Sequence, residues 1–88
     1  MTRTHVRIRG RVQGVFFRAE ARARAESLGL AGWIRNAEDG SVEAVFEGDE
    51  ERVRSMVDWC SRGPSGARVD EVDAEAQEPS GESGFRVR

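Results

Sequence analysis

The stretch from Arg9 to Arg18, RGRVQGVFFR, combines two glycines with an arginine at the point where a helix is predicted to begin. Glycine lets a loop turn its backbone N–H groups inward, and a helix N-terminus adds unpaired N–H groups and a positive dipole, so such a turn suits an anion. The Arg18 guanidinium matches phosphate or carboxylate, whereas without an anion a cation in a first helical turn is unfavourable by about 0.3 to 1 kcal/mol. On spacing alone, a plain strand-to-helix turn with Arg18 in water explains the pattern equally well.

Asn36 is the second residue whose type and place suggest chemistry. It ends a predicted strand just before the turn Ala37-Glu38-Asp39-Gly40, at an end of the strand that can approach the Gly10–Arg18 loop. An amide side chain both donates and accepts hydrogen bonds, so it can hold a water molecule in one orientation. An Asx-type turn cap is an equally good explanation of this residue taken alone.

Several other chemistries lack the residues they need. A cysteine phosphatase requires an arginine six positions after its nucleophile, but the residue six positions after Cys60 is Gly66. We therefore interpret Cys60 as a core residue. His5 is the only histidine, so neither a histidine-based metal site nor a Ser-His-Asp triad can be assembled. The chain has neither a G-x-G-x-x-G fingerprint nor a Walker A loop.

Composition narrows the partners and the compartment. All 14 basic residues are arginine, and 16 acidic residues give a net charge of −2, which argues against a nucleic-acid partner. The single cysteine excludes an intramolecular disulfide, and no apolar run approaches the roughly 20 residues of a membrane span. At 88 residues the chain is expected to form one domain, residues 1–88, and we expect a cytoplasmic monomer without a membrane partner.

The hydrophobic pattern predicts the elements that position these residues. Alternation over residues 4–12 indicates a strand, and Phe17, Ala21, Ala25 and Leu28 form one helical stripe that ends before Gly29. A hairpin around residues 37–40 follows, and then a helix capped by Asp49 and stopped by Gly63-Pro64. A strand with a bulge or late start near Asp70-Glu71 and a short strand over residues 85–88 complete the chain. This order predicts an α+β, two-layer, ferredoxin-like sandwich (βαββαβ), an antiparallel sheet with both helices on one face and a small extra C-terminal strand.

The first predicted strand carries a stripe of arginines at Arg7, Arg9 and Arg11. RNA-recognition domains share this fold class, but the stacking aromatics they use are missing from that face. We expect the stripe instead to pair across the sheet with acidic residues of other strands. These candidate partners are Glu43, Glu47, Asp73 and Glu75.

Two long motifs resemble those of the acylphosphatase family. Residues 10–18, GRVQGVFFR, match G-x-V-Q-G-V-x-F-R at every fixed position, and residues 32–43, GWIRNAEDGSVE, match G-W-[VI]-x-N-x-x-D-G-x-V-E. The likeness continues through residues 46–48, Trp59, residues 63–64 and residues 84–88. The final tyrosine of some members is missing, and lysine is absent throughout, but neither departure touches the two motifs.

The resemblance implies a ferredoxin-like fold and hydrolysis of the carboxyl-phosphate bond of small acyl phosphates, with no metal and no organic cofactor. It implies that inorganic phosphate is the product or an inhibitor. The phosphate-binding residues that it implies are Gln13, Gly14, Val15, Phe16, Phe17 and Arg18. It also implies that Arg18 and Asn36 are catalytic, Arg18 by binding the phosphate and Asn36 by positioning the attacking water.

The implied reaction fits the absence of paired catalytic carboxylates. A carboxylate leaving group is stable near neutral pH, so positioning and charge neutralisation can carry an in-line attack of water on phosphorus. The alternative is a non-enzymatic ferredoxin-like module that uses the same loop to hold an anionic ligand. Nothing in the chain defines the acyl group.

Overall fold

The computed structural model describes residues 1–88, which form two helices and a five-stranded sheet. In chain order the elements are β1 (Thr2–Arg11), α1 (Phe17–Ser27), β2 (Ala31–Asn36), β3 (Val42–Gly48), α2 (Glu50–Arg62), β4 (Arg68–Gln77) and β5 (Phe85–Val87). The strands lie in the order β4-β1-β3-β2-β5. This is the predicted two-layer, ferredoxin-like α+β arrangement.

Local sequence signals explain where both helices begin and end. Asp49 caps α2 because its carboxylate accepts the Arg52 backbone N–H at 3.3 Å, and Gly63 ends that helix with φ 70°. Gly29 follows α1 with φ 69°, as expected of a glycine just past a helix end. The predicted caps and stops are confirmed.

The core lies between the helices and the inner face of the sheet. α1 buries Phe17, Ala21 and Ala25 there, as the predicted stripe requires. The Phe17 and Trp59 rings pack with centroids 5.4 Å apart. Cys60 is fully buried in the same cluster, and burial raises the pKa of its thiol to about 12, which confirms that it is a core residue.

Strand directions bring the two predicted site segments to one end of the sheet. β1 and β2 each pair antiparallel with β3, so β1 and β2 run in the same direction. Val42 of β3 pairs with Ile8 on one side and with Asn36 on the other, so the end of β2 lies level with the last residues of β1. The loop after β1 and Asn36 therefore lie at the same end of the sheet, as predicted.

The structure refines two predictions about the strands. β5 pairs parallel with β2, so the sheet is mixed rather than purely antiparallel. The predicted bulge is confirmed, because Arg9 pairs with Glu71 while Gly10 pairs with Val69, which leaves Asp70 as the extra residue.

Gly10 is not part of the anion loop, and that prediction is wrong. It lies within β1, where a Cβ atom would approach the Arg68 carbonyl oxygen to 2.1 Å, and its φ is 135°. Glycine is needed there because the backbone of β4 passes so closely at the bulge. Only the second glycine, Gly14, lies in the loop that precedes α1.

Candidate functional site

The loop between β1 and α1, residues 12–16, presents unpaired backbone N–H groups. None of the N–H groups of Gln13, Gly14, Val15 and Phe16 donates to an acceptor within the protein. The first N–H to enter the ladder of α1 is that of Glu20, which donates to the Phe16 carbonyl at 3.0 Å. No side chain caps this helix. The loop and the first turn of α1 thus form a group of free donors at a positive helix end.

The backbone of this loop adopts left-handed conformations at two positions. Gly14 has φ 73°, which glycine adopts without strain. Phe16 has φ 62° and ψ 18°, and it is the only residue other than glycine with a positive φ. A bulky residue held in this region stores conformational strain, and such strain is concentrated at functional sites.

Arg18 is the second residue of α1 and has no anionic partner. Four arginines of the chain are half-buried, and these are Arg3, Arg7, Arg18 and Arg35. The other three each contact a carboxylate. Arg18 contacts none and donates no hydrogen bond to any protein group. A partly desolvated guanidinium without a counter-ion, next to free N–H groups, is an arrangement suited to an anion.

The Gln13 side chain joins this loop to the β2–β3 turn. Its amide Nε2 donates to the Ala37 and Ser41 carbonyl oxygens, both at 2.9 Å. The turn itself is fixed by Asp39, which accepts the Ser41 hydroxyl at 2.6 Å and the Ser41 N–H at 3.0 Å. These two bonds, together with Arg9, hold the pKa of Asp39 well below its usual range. The loop and the turn are therefore held together as one unit at this end of the sheet.

Asn36 lies at the end of β2 with an unsatisfied side-chain oxygen. Its Oδ1 atom is buried and has no hydrogen-bond partner. The alternative role as an Asx-type cap does not hold, because Asp39 makes that turn instead. A buried acceptor without a partner is uncommon in proteins, and at the end of the sheet that also carries the free N–H groups it makes Asn36 a candidate functional residue.

An open cavity of about 550 Å³ lies against the start of α1. The predicted site residues that line it are Gly14, Phe16, Phe17 and Arg18. Gln13, Val15 and Asn36 do not line it. Val15 packs against the core, and the Gln13 side chain turns to the hairpin. Asn36 is adjacent in the chain to Ala37, whose carbonyl oxygen accepts the Gln13 side-chain bond.

Sequence reasoning missed three contributions to this region. Arg22 and Val87 line the same cavity, and the bridging role of the Gln13 side chain was not foreseen. Arg22 could have been identified from the sequence, because it lies four positions after Arg18 and residues four apart on a helix share a face. Val87 gave no such signal, because only the parallel pairing of β5 with β2 brings it there.

The outer face of the sheet, which carries no helix, is covered by ion pairs. Arg7 lies 3.7 Å from Glu43, and Arg9 lies 3.9 Å from Asp73, as predicted. The prediction fails for the remaining residues, since Glu47 pairs with Arg3 and no ion pair involves Arg11 or Glu75. His5 on the same face is half-buried, with its Nε2 atom 2.6 Å from Glu43.

No group of three or more histidine, cysteine, aspartate or glutamate side chains is arranged to hold a metal ion. Neither helix has the length and apolar character that crossing a bilayer requires.

Comparisons with known proteins identify the family. The acylphosphatase family model matches residues 4–87. An acylphosphatase of Roseiflexus sp. (strain RS-1) is 57% identical over 99% of this chain and 95% of its own length. One from Thermococcus kodakarensis is 52% identical over 97% of this chain and 93% of its own length.

Solved structures agree with this result. The acylphosphatase of Coxiella burnetii superposes with a TM-score of 0.95 at 41% identity, covering 99% of this chain and 92% of that chain. The acylphosphatase of Bacillus subtilis gives a TM-score of 0.96 at 31% identity, covering 100% of this chain and 99% of that chain. On the match over residues 4–87 and on relatives more than half identical along nearly the whole chain, this protein belongs to the acylphosphatase family.

Proposed function

We propose that the protein hydrolyses the carboxyl-phosphate bond of small acyl phosphates, releasing a carboxylate and inorganic phosphate without a metal ion. Membership of the acylphosphatase family supports the reaction class. The observation that supports the site is the half-buried Arg18 without a counter-ion, beside the free N–H groups of residues 13–16. These groups provide a positive, preorganised cradle for a phosphate dianion.

Phosphate recognition is assigned to backbone and side chain together. In this proposal the N–H groups of residues 13–17 donate hydrogen bonds to the phosphate oxygens, and the Arg18 guanidinium neutralises their charge. This neutralisation matters most in the transition state, where charge is spread over the phosphoryl oxygens and the leaving carboxylate. A metal ion is not required for this step, because arginine and amides supply the same electrostatic stabilisation.

The positioning of the attacking water is assigned to Asn36. In this proposal the Asn36 side-chain amide, whose Oδ1 atom has no partner within the protein, holds a water molecule by hydrogen bonding and orients its oxygen toward phosphorus. As the water attacks in line, the new P–O bond forms while the bond to the acyl oxygen breaks and its electron pair leaves with the carboxylate. The water's proton passes to the phosphate or to bulk solvent.

Hydrolysis of benzoyl phosphate in excess EDTA tests this proposal. The wild type should turn over the substrate, and Arg18→Ala should lower kcat/KM by about 10² to 10³ through both kcat and KM. Asn36→Ala should lower mainly kcat, by about 10² or more. Arg24→Ala, which removes an exposed arginine from the same helix, should retain activity.

Three results would contradict parts of this account. Phosphate binding without turnover would favour the non-enzymatic module. Activity lost in EDTA and restored by a divalent ion would contradict metal independence. Near-normal activity in Arg18→Ala or Asn36→Ala would remove the role given to that residue. The monomeric state and the cytoplasmic location stay predictions from the sequence.

A further inference from the structure

The cavity beside α1 extends beyond the residues needed to bind phosphate. Arg18 lies in the first turn of the helix, and the same cavity continues along α1 to Ala19 and Arg22. Residues four apart on a helix face the same way, with Cβ atoms roughly 5 to 6 Å apart. A second guanidinium therefore lies about one helical turn from the proposed phosphate site.

Arg22 makes only one weak ionic contact within the protein. Its one ionic contact is with Glu26, where Nε and Oε2 lie 3.3 Å apart and both side chains are 53% exposed. Exposed pairs of this kind contribute little, and an arginine placed before its glutamate has the poorer of the two orientations. Arg22 can thus exchange Glu26 for an anion in the cavity at small loss.

The part of the cavity between the loop and the sheet edge is apolar. Only three large hydrophobic residues of the chain are exposed, and two of them, Phe16 and Val87, line this cavity. Phe16 is 79% exposed and is held in its left-handed conformation at the mouth of the loop. An acyl group placed there gains apolar contact on leaving water.

We propose that this cavity is the acyl subsite and that Arg22 binds a negative charge at the far end of the acyl group. The enzyme then favours acyl phosphates whose acyl group carries a second anionic group, such as a carboxylate. This inference rests on the proposed function, and it assigns to the chain a substrate preference that the phosphate loop alone does not provide.

Two substrates of matched shape test the preference, namely 4-carboxybenzoyl phosphate and 4-methylbenzoyl phosphate. The measured quantity is the ratio of their kcat/KM values, carboxy over methyl. Arg22→Gln should lower this ratio about three- to tenfold relative to the wild type, mainly through KM of the carboxy substrate. Differences in leaving-group chemistry between the substrates cancel in this comparison.

Two further variants distinguish a direct contact between Arg22 and the substrate carboxylate from a general effect of positive charge on the helix. Arg24→Gln removes the same charge from the same helix, but Arg24 lies by the Trp59 ring outside this cavity, so the ratio should stay at the wild-type value. Glu26→Gln removes the competing carboxylate and should raise the ratio. In the Arg22→Gln background the Glu26 substitution should have no such effect.

The outcomes are distinguishable. If Arg22→Gln changes kcat/KM equally for both substrates, or if Arg24→Gln lowers the ratio as much, the inference is overturned while the proposed function stands. If the wild type turns over neither substrate, the proposed function itself fails, and the acyl subsite fails with it.

Discussion

At the scale of single residues, the proposed site contains side chains and a backbone conformation that are unfavourable without a ligand. Arg18 puts a cation at the positive end of α1, and Asn36 buries an acceptor without a partner. The positions of both residues were predictable, because a glycine-broken loop before a helix and an amide at a strand end are visible in the sequence, but the missing partner of the Asn36 oxygen was not. The left-handed Phe16 was not, since a bulky residue carries no signal for a positive φ.

The conformation of Phe16 predicts that glycine is more stable than alanine at this position. Phe16 is the N-cap residue of α1, where glycine is preferred to alanine, and at φ 62° a Cβ atom is unfavourable as well. Phe16→Gly should therefore have a free energy of unfolding about 1 kcal/mol higher than Phe16→Ala. Urea denaturation of the two variants measures this difference, and a more stable alanine variant would contradict the assigned backbone.

At the scale of elements, the decisive contact is between the loop after β1 and the turn after β2. Hydrophobic periodicity predicted the strands and helices, because each buries one face. It could not predict the two Gln13 bonds, which join residues 24 and 28 positions apart. The error over Gly10 has the same origin, since the sequence does not distinguish a glycine in a loop from one that admits a neighbouring backbone.

Removing the Gln13 amide should disturb the geometry of the proposed site more than the stability of the fold. Gln13→Ala leaves the Ala37 and Ser41 carbonyl oxygens without that donor, which should lower the free energy of unfolding by about 1 to 3 kcal/mol. It should also lower kcat, because the loop that we propose to bind phosphate is then no longer held at a fixed distance from Asn36. The control is Gln77→Ala, which removes one exposed side-chain hydrogen bond, from Arg3, at a position on β4 away from this loop. Unchanged kcat in Gln13→Ala would show that the bridge is dispensable.

At the scale of the whole molecule, hydrogen bonds to Glu47 hold residues 80–82, just before β5, against the outer face of the sheet. This buried carboxylate accepts the N–H groups of Ser80, Gly81 and Glu82 at 2.8 to 3.1 Å and contacts Arg3 at 2.8 Å. It thereby helps to place β5, and with it Val87, beside α1. The sequence indicated a charged outer face but not this nest, because its partners lie more than 30 positions away.

The pH dependence of stability reports on Glu47. Burial raises the pKa of its carboxyl group, but the hydrogen bonds from Ser80, Arg3 and Glu82 together lower the pKa from 4.5 to about 2. Because the folded pKa is depressed, the stabilisation is complete above about pH 4.5 and is lost as the pH falls toward 2. The free energy of unfolding should therefore decrease across this window.

Glu47→Gln isolates this contribution. The variant should be less stable than the wild type at pH 7, and its stability should depend less on pH between 4.5 and 2. Glu75→Gln makes the same charge change at an exposed position on β4 and should keep the slope of the wild type. Equal slopes in all three proteins, followed by denaturant unfolding at several pH values, would show that Glu47 is not the titrating group.

Phosphate-dependent stability tests the central claim, that Arg18 lies at the positive end of α1 because the site binds phosphate. The free energy of unfolding is measured against inorganic phosphate, with ionic strength held constant by chloride, for the wild type and Arg18→Ala. Wild-type stability should rise with phosphate, by about 2.7 kcal/mol at one hundred times Kd. Arg18→Ala should lose most of that rise while being no less stable than the wild type without phosphate. An equal rise in both proteins, or an Arg18→Ala variant destabilised in the absence of phosphate, would contradict the claim.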